Sequence, residues 1–334
     1  MTPSVLRLLR IPFSVYLMPV FWFALAFVPI SCSETAQSFD ATFEWDASPA
    51  QALAVFLILH LLVYPASNGF NSWHDRDTGP IGGLAAPPPP PPVLLPLVRA
   101  LDVAAFALAL LLDMRFAGLL LAYILVSRAY SAPPLRLKAR PYLGTAAVVI
   151  FQGFVTYLAV QAGSGVASDY LFSAFNLTAG AGVSLLLLGS YPLTQIYQHA
   201  EDAARGDRTL SRALGVAGTF RFARLIGLLG AAYVVGLGWL PLPRFPDRSL
   251  WLLLQESVPG IPGLRLIVVF GLWMLPTALY VALWERRAAA GQPPTHADAM
   301  GLNKLASLSV SAFFGLAVLW QIAICEGWLT SFSF

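Results

Sequence analysis

Residues 50–68 read AQALAVFLILHLLVYPASN, and the chain runs straight on into Gly69-Phe70-Asn71-Ser72-Trp73-His74-Asp75-Arg76-Asp77. A nearly unbroken apolar run of this length is enough to cross the roughly 30 Å hydrocarbon core of a bilayer as a helix. The amides and acids after it cannot remain in lipid without a large cost. The stretch is therefore a membrane-spanning helix that delivers an acidic cluster to one membrane surface.

The rest of the 334-residue chain fits the same solvent: 57% of it is hydrophobic and only 11% charged. A soluble domain carries about 25% charged residues, so this chain would have too much apolar surface to bury in water. Apolar runs recur at 11–30, 50–68, 93–112, 116–132, 142–162, 172–197, 220–240, 264–284 and 302–325. Strand-like alternation is absent, which argues against a barrel. The expected fold is all-α: one polytopic helical bundle of about nine transmembrane helices spanning 1–334. The third and fourth spans are joined only by Asp113-Met114-Arg115, so they should form a tight hairpin.

With the N-terminus placed in the cytoplasm, all but four of the 20 Lys and Arg fall on the inner side, the exceptions being Arg115, Arg244, Arg248 and Arg265. This satisfies the positive-inside rule. The net charge of +3 is thus accounted for by contact with the inner leaflet and calls for no nucleic-acid partner. Short, compact loops are expected of a bacterial inner-membrane protein. The first span is longer than the core of a usual signal peptide, and Pro29-Ile30 before Cys32 suit lipid attachment poorly. Cys32 and Cys325 both fall toward the outer face, where they stand either as two inert thiols or as a disulfide in an oxidising compartment. Pro87–Pro92 should form a stiff polyproline II connector.

The sixth span echoes the second. It ends in Gln195-Ile196-Tyr197-Gln198-His199-Ala200-Glu201-Asp202, then Arg205-Gly206-Asp207-Arg208. Both polar clusters fall at the cytoplasmic end of an apolar helix, as expected of a pseudo-repeat of helices 1–4 and 5–8 with an added ninth. Asn71 and Asp75 are four apart and share a helix face, as do Gln198 and Asp202. Asp77 can join the first pair if the helix unwinds at Thr78-Gly79-Pro80, and Glu201 and Asp207 lie close to the second. Magnesium favours a few such oxygens together with phosphate ligands. Two clusters facing each other could clamp a diphosphate through metal ions; the bland alternative is two solvated helix ends.

A third feature is Tyr130-Ser131-Ala132-Pro133-Pro134-Leu135-Arg136-Leu137-Lys138-Ala139-Arg140. It is either a membrane anchor or a cationic loop that attracts and aligns a metal-bound diphosphate. The pattern Tyr-Ser-x-Pro-Pro-x-Arg-Leu-Lys-x-Arg resembles the loop between the fourth and fifth helices of the UbiA-type prenyltransferase superfamily. Asn71-x-x-x-Asp75 resembles that family's first Asp-rich motif, and Gln198-x-x-x-Asp202 with Gly206-Asp207 resembles its second. The motifs come in the family's order, and the likeness extends over nearly the whole chain.

The resemblance implies a bundle with a central cavity open to lipid. It also implies Mg2+-dependent ionisation of a prenyl diphosphate, with capture of the allylic cation by a hydrophobic, aromatic or quinone-type acceptor. It casts Asn71, Asp75 and Asp202 as catalytic and, with Asp77 and Asp207, as metal-binding. Asn68, Tyr130, Arg136, Lys138, Arg140, Tyr197 and Gln198 are cast as substrate-binding. Two positions depart from the family pattern: Gly79 stands where a further acid is usual, and Gln198 where an Asp opens the second motif. Two rival readings stay open, an intramembrane terpene cyclase of the same superfamily and a non-catalytic lipid binder or transporter. His60, inside the second span, is either an acid–base group or a helix–helix hydrogen-bonding residue.

Overall fold

The computed structural model describes residues 3–33, 42–237 and 264–325. Among them run nine long helical segments: α1 (Pro3–Ala26), α2 (Pro49–Asp75), α3 (Leu94–Leu112), α4 (Met114–Ser131), α5 (Pro141–Gly163), α6 (Ala174–Arg205), α7 (Leu210–Leu237), α8 (Leu264–Ala289) and α9 (His296–Cys325). Eight have the length and hydropathy to cross a membrane. The remaining one, α4, is the fourth span read from the sequence; its 18 residues are made less apolar by Arg115 and Arg128 near its ends.

Local chemistry sets the helix ends. Ser48 caps α2, its Oγ accepting the Gln51 N–H at 3.4 Å, with Pro49 in the first turn where a missing N–H costs nothing. The α3–α4 hairpin turns on Asp113 alone. Asp113 is extended and its carboxylate accepts the N–H groups of Arg115 at 2.7 Å and Phe116 at 3.0 Å. In contrast to the sequence reading, a short antiparallel ribbon pairs Ile30–Ser33 with Thr42–Trp45 beyond α1. The side chains of Cys32 and Cys325 lie outside the described residues.

Apolar side chains pack the interior, with Phe23 between Phe27 and Phe314. Buried polar groups then select which helices touch. Tyr157 donates to Asn176 at 2.5 Å, Asn176 to Gln161 at 2.7 Å, Gln161 to the Ala24 carbonyl at 3.0 Å, and Gln321 to the Ala26 carbonyl at 3.0 Å. In lipid no water can satisfy such groups, so these bonds tie α1, α5, α6 and α9 together. Leucines such as Leu111, Leu228, Leu272 and Leu319 face outward, as a bilayer solvent allows.

Several helices depart from α geometry. The α1 helix breaks at Arg10, which is left-handed with φ 49°. The α2 helix widens into a π turn over Ile58–Val63, and α5 does so over Val149–Val155. The α6 helix tightens to a 3-10 helix over Tyr191–Gln198, where Pro192 removes a donor. His60 sits on the π turn of α2. It is buried, stacked on Phe56 and edge-on to Tyr64. The polar group that faces the ring is the Ser14 backbone of α1, in keeping with the helix–helix reading.

Candidate active site

Three pieces of chain converge at one end of the bundle: the end of α2, the loop 132–140, and the α6–α7 junction. The first is shaped by the stop of α2. Its last residue is Asp75, and Arg76 follows in a left-handed conformation, φ 50°, with its N–H on the Ser72 carbonyl at 3.2 Å. This turn carries Asp77 back beside Arg205 of α6, at 2.5 Å. Asn71 and Asp75 do share a face. Lys138 contacts both, pairing with Asp75 and reaching Asn71 Oδ1 at 3.5 Å, while Ser131 donates to the same oxygen at 2.8 Å.

The loop is wound so that its cations diverge. Arg136 has φ 36°, a conformation that costs a non-glycine residue free energy and tends to occur at functional sites. Its guanidinium forks onto Asp207, with two bonds of 2.8 Å, and lies 3.5 Å from Asp75. It thereby bridges the two acidic clusters. The Asp207 hydrogen bonds raise the Arg136 pKa above its ordinary value. Lys138 points the same way, whereas Arg140 is exposed and makes no comparable contact. The start of α5 presses on this loop: a Cβ at Gly144 would stand 2.9 Å from the Leu137 carbonyl oxygen and Lys138 Cα, so glycine is required for the approach.

The second cluster closes the other side. Asp202 is buried and accepts from Thr209 at 3.3 Å; Asp207 bonds back through its N–H to the Asp202 carbonyl at 2.9 Å. Arg208 N–H docks on the Ala139 carbonyl at 3.1 Å, holding the junction against the loop. Gln198 donates to the Pro80 carbonyl at 3.5 Å. His199 bonds Ser211 of α7 at 2.8 Å and so braces α6 rather than the cavity. Burial, ahead of repulsion from Asp75, raises the Asp77 pKa, and Arg205 opposes this.

These pieces enclose a cavity of about 180 Å3. Of the residues singled out from sequence, Asn71, Asp75, Asp77, Tyr130, Lys138, Tyr197, Gln198, Asp202 and Asp207 line it. Tyr130 and Tyr191 meet there hydroxyl to hydroxyl at 2.5 Å, with Gln195 donating to Tyr191 at 2.9 Å. Asn68 is turned away and braces α1, donating to the Leu9 carbonyl at 3.4 Å. Arg10 and Arg205 were read from sequence only as inner-side charges, yet both line the cavity. Arg10 is 7% exposed, gives its terminal nitrogens to the Gly82 and Asn68 carbonyls, and leaves Nε without a partner. Its only local signal is Pro12, two residues on, which cannot donate within a continuous helix.

The donor set is hard: carboxylate and amide oxygens, with Asp75 Oδ1 buried and lacking a hydrogen bond. Among the described residues no three of His, Cys, Asp and Glu form a ready-made metal cage. Magnesium rarely uses one, since it keeps waters and takes one or two carboxylates plus substrate phosphate. Asp75 and Asp202, with Asn71, suit that role.

Residues 26–291 match the model of the UbiA prenyltransferase family. The chain belongs to that family. A UbiA homologue of Archaeoglobus fulgidus, solved with DMAPP and Mg2+, superposes with a TM-score of 0.62 at 17% identity, over 97% of this chain and 99% of that one. The same homologue with GPP and Mg2+ gives 0.63. The UbiA homologue of Aeropyrum pernix, solved without ligand, gives 0.57 at 17% identity over 93% and 98%. At such identities the likeness establishes the fold. A lycopene elongase/hydratase of Haloarcula japonica is 32% identical over 185 residues, 54% of this chain and 58% of the relative. The match thus spans little more than half of that relative's length.

Proposed function

We propose that this protein uses Mg2+ to ionise a prenyl diphosphate and transfers the isoprenoid chain to a lipophilic acceptor. The observation that carries the reading is the convergence of Asn71-Asp75 and Asp202-Asp207 on one cavity, with Lys138 and Arg136 between them. Bound magnesium would neutralise charge on the leaving pyrophosphate as the allylic carbon–oxygen bond breaks. Lys138 and Arg136 are held within reach by Asp75. If that carboxylate turned to a metal, Lys138 would be freed to grip phosphate oxygens, while Arg136 would stay forked on Asp207. Tyr130 and Tyr191 bring electron-rich rings to the same cavity, suited to shielding an allylic cation.

The A. fulgidus homologue bound to DMAPP or GPP with Mg2+ supports the diphosphate substrate. Likeness to the lycopene elongase/hydratase makes a long polyene hydrocarbon an acceptor to test beside quinone-type aromatics. The protein would work in a membrane with these loops on the cytoplasmic side.

The test is pyrophosphate release by the purified protein in detergent, offered allylic diphosphates of several lengths with and without acceptor. The expected result is Mg2+-dependent release that Asp75→Ala and Asp202→Ala each abolish. Absence of both release and binding across the series would reject the proposal and favour a transporter or lipid binder. Cyclic products formed without any acceptor would instead identify a terpene cyclase.

A further inference from the structure

We propose that Arg205 takes the place of one divalent cation, so that a single metal ion and the Arg205 guanidinium together hold the diphosphate. This rests on the diphosphate reading above and concerns how that site is built.

The two departures from the family motif lie close to this residue: Gly79 faces Glu201, a partner of Arg205, and Gln198 bonds the neighbouring Pro80. At Gly79 an added Cβ would lie 2.7 Å from Glu201 Oε2, so a side chain there would make the Glu201 carboxylate shift from its present place. The loop after α2 and the end of α6 thus approach each other at Gly79 and Glu201. Glu201 uses its other oxygen, Oε1, on Arg205 Nη2, and Asp77 Oδ1 pairs with the same nitrogen at 2.5 Å. Arg205 is thus clamped between the two acidic clusters and lines the cavity. Gln198, four residues before Asp202, adds an amide but no charge and donates to the Pro80 carbonyl.

The charges follow from this arrangement. Arg205 offsets one of the two charges on Asp77 and Glu201, Arg136 pairs with Asp207, and Lys138 pairs with Asp75. Asp202 makes no ion pair among the described residues, and Asp75, once released from Lys138, would join it as an acid for a metal, with Asn71 as a neutral ligand. That set suits one magnesium ion bound with phosphate oxygens. A second ion would have to displace a guanidinium already seated between its ligands. Arginine can do part of a metal's work, because its planar fork donates two parallel hydrogen bonds to a phosphate and never loses its charge.

The experiment replaces Mg2+ with Mn2+ in the full chain in detergent, with saturating inorganic pyrophosphate. Bound Mn2+ is counted by equilibrium dialysis, and its electron paramagnetic resonance spectrum is recorded. The expected result is one Mn2+ per chain with an uncoupled spectrum. Arg205→Gln should weaken pyrophosphate binding by about ten-fold or more, the scale of a lost charge-assisted hydrogen bond. Arg205→Lys, which keeps the charge but not the fork, should fall between the two. Two spin-coupled Mn2+ ions in the wild-type protein would overturn the inference whether or not the variants fold. So would unchanged pyrophosphate affinity in a folded Arg205→Gln. Failure of the wild-type protein to bind pyrophosphate with Mn2+ would instead overturn the diphosphate reading itself.

Discussion

The link between Arg136 and Asp207 can be tested as a double-mutant cycle. Two parallel N–H···O contacts of 2.8 Å join a carboxylate only 4% exposed to a guanidinium 25% exposed. A fully exposed pair contributes up to about 1 kcal/mol, and removing one partner of a buried pair costs about 3–5 kcal/mol. The partial exposure of Arg136 places the expected loss between these, at about 2–3 kcal/mol for Arg136→Met. With about 2.1 cal/mol/K of unfolding entropy per residue over 334 residues, that corresponds to a fall in Tm of about 3–4 °C. Asp207→Leu should fall by a similar amount. The double variant should fall by distinctly less than the sum, since neither charge is left stranded. The assay is thermal unfolding in detergent at fixed protein concentration and scan rate, with pyrophosphate release measured alongside. Additive effects would refute the pairing, and so would a single variant with unchanged Tm. An equal coupling between Lys138→Met and Asp207→Leu would refute the claim that the two loop cations serve different acids.

Three further outcomes are expected. Chelation with EDTA should abolish pyrophosphate release and Mg2+ should restore it; release that persists in chelator would exclude a metal requirement. Gly144→Val should displace the loop at Leu137–Lys138 and cut pyrophosphate release at least ten-fold while circular dichroism keeps the helical content, because the new side chain meets backbone at 2.9 Å; undiminished release would show that the loop position is not critical. Tyr157→Phe should lower stability by about 1–3 kcal/mol by leaving the buried Asn176 oxygen without its donor, and an unchanged Tm would mean that another group satisfies Asn176.

The placement of polar groups bears on the rival functions. A transporter is expected to bind its substrate near the bilayer midplane. Here the acids and cations gather where α2, α4 and α6 end, and His60, the clearest polar residue deep in a span, is packed among Phe21, Phe56 and Tyr64. That end of the bundle is further locked by Arg128, which pairs with Asp102 of α3 and lies 4.5 Å from the centre of the Phe70 ring. A rigid polar end on an apolar bundle suits a ligand with a charged head and a hydrocarbon tail.

The helical bundle was legible in the sequence because crossing a bilayer is a local property: each run of apolar residues must satisfy its own backbone within itself. The α3–α4 hairpin followed for the same reason, since only Asp113-Met114-Arg115 separate the two apolar runs. The i,i+4 faces of Asn71-Asp75 and Gln198-Asp202 followed from helix geometry alone, although Gln198 turned out to bond the chain at Pro80. What sequence could not decide was which charges look inward. Arg10 and Arg140 are equivalent as inner-side basic residues, yet a left-handed break buries Arg10 in the cavity wall while the last turn of the loop leaves Arg140 exposed. Glu201, Gly79 and Arg205 are separated by up to 126 positions, and their fit depends on the turn at Arg76 meeting the end of α6. Spacing along the chain determines which residues share a helix face. Only the packing of helices against one another determines what that face meets, because side-chain direction changes at every break and the partner comes from elsewhere in the chain.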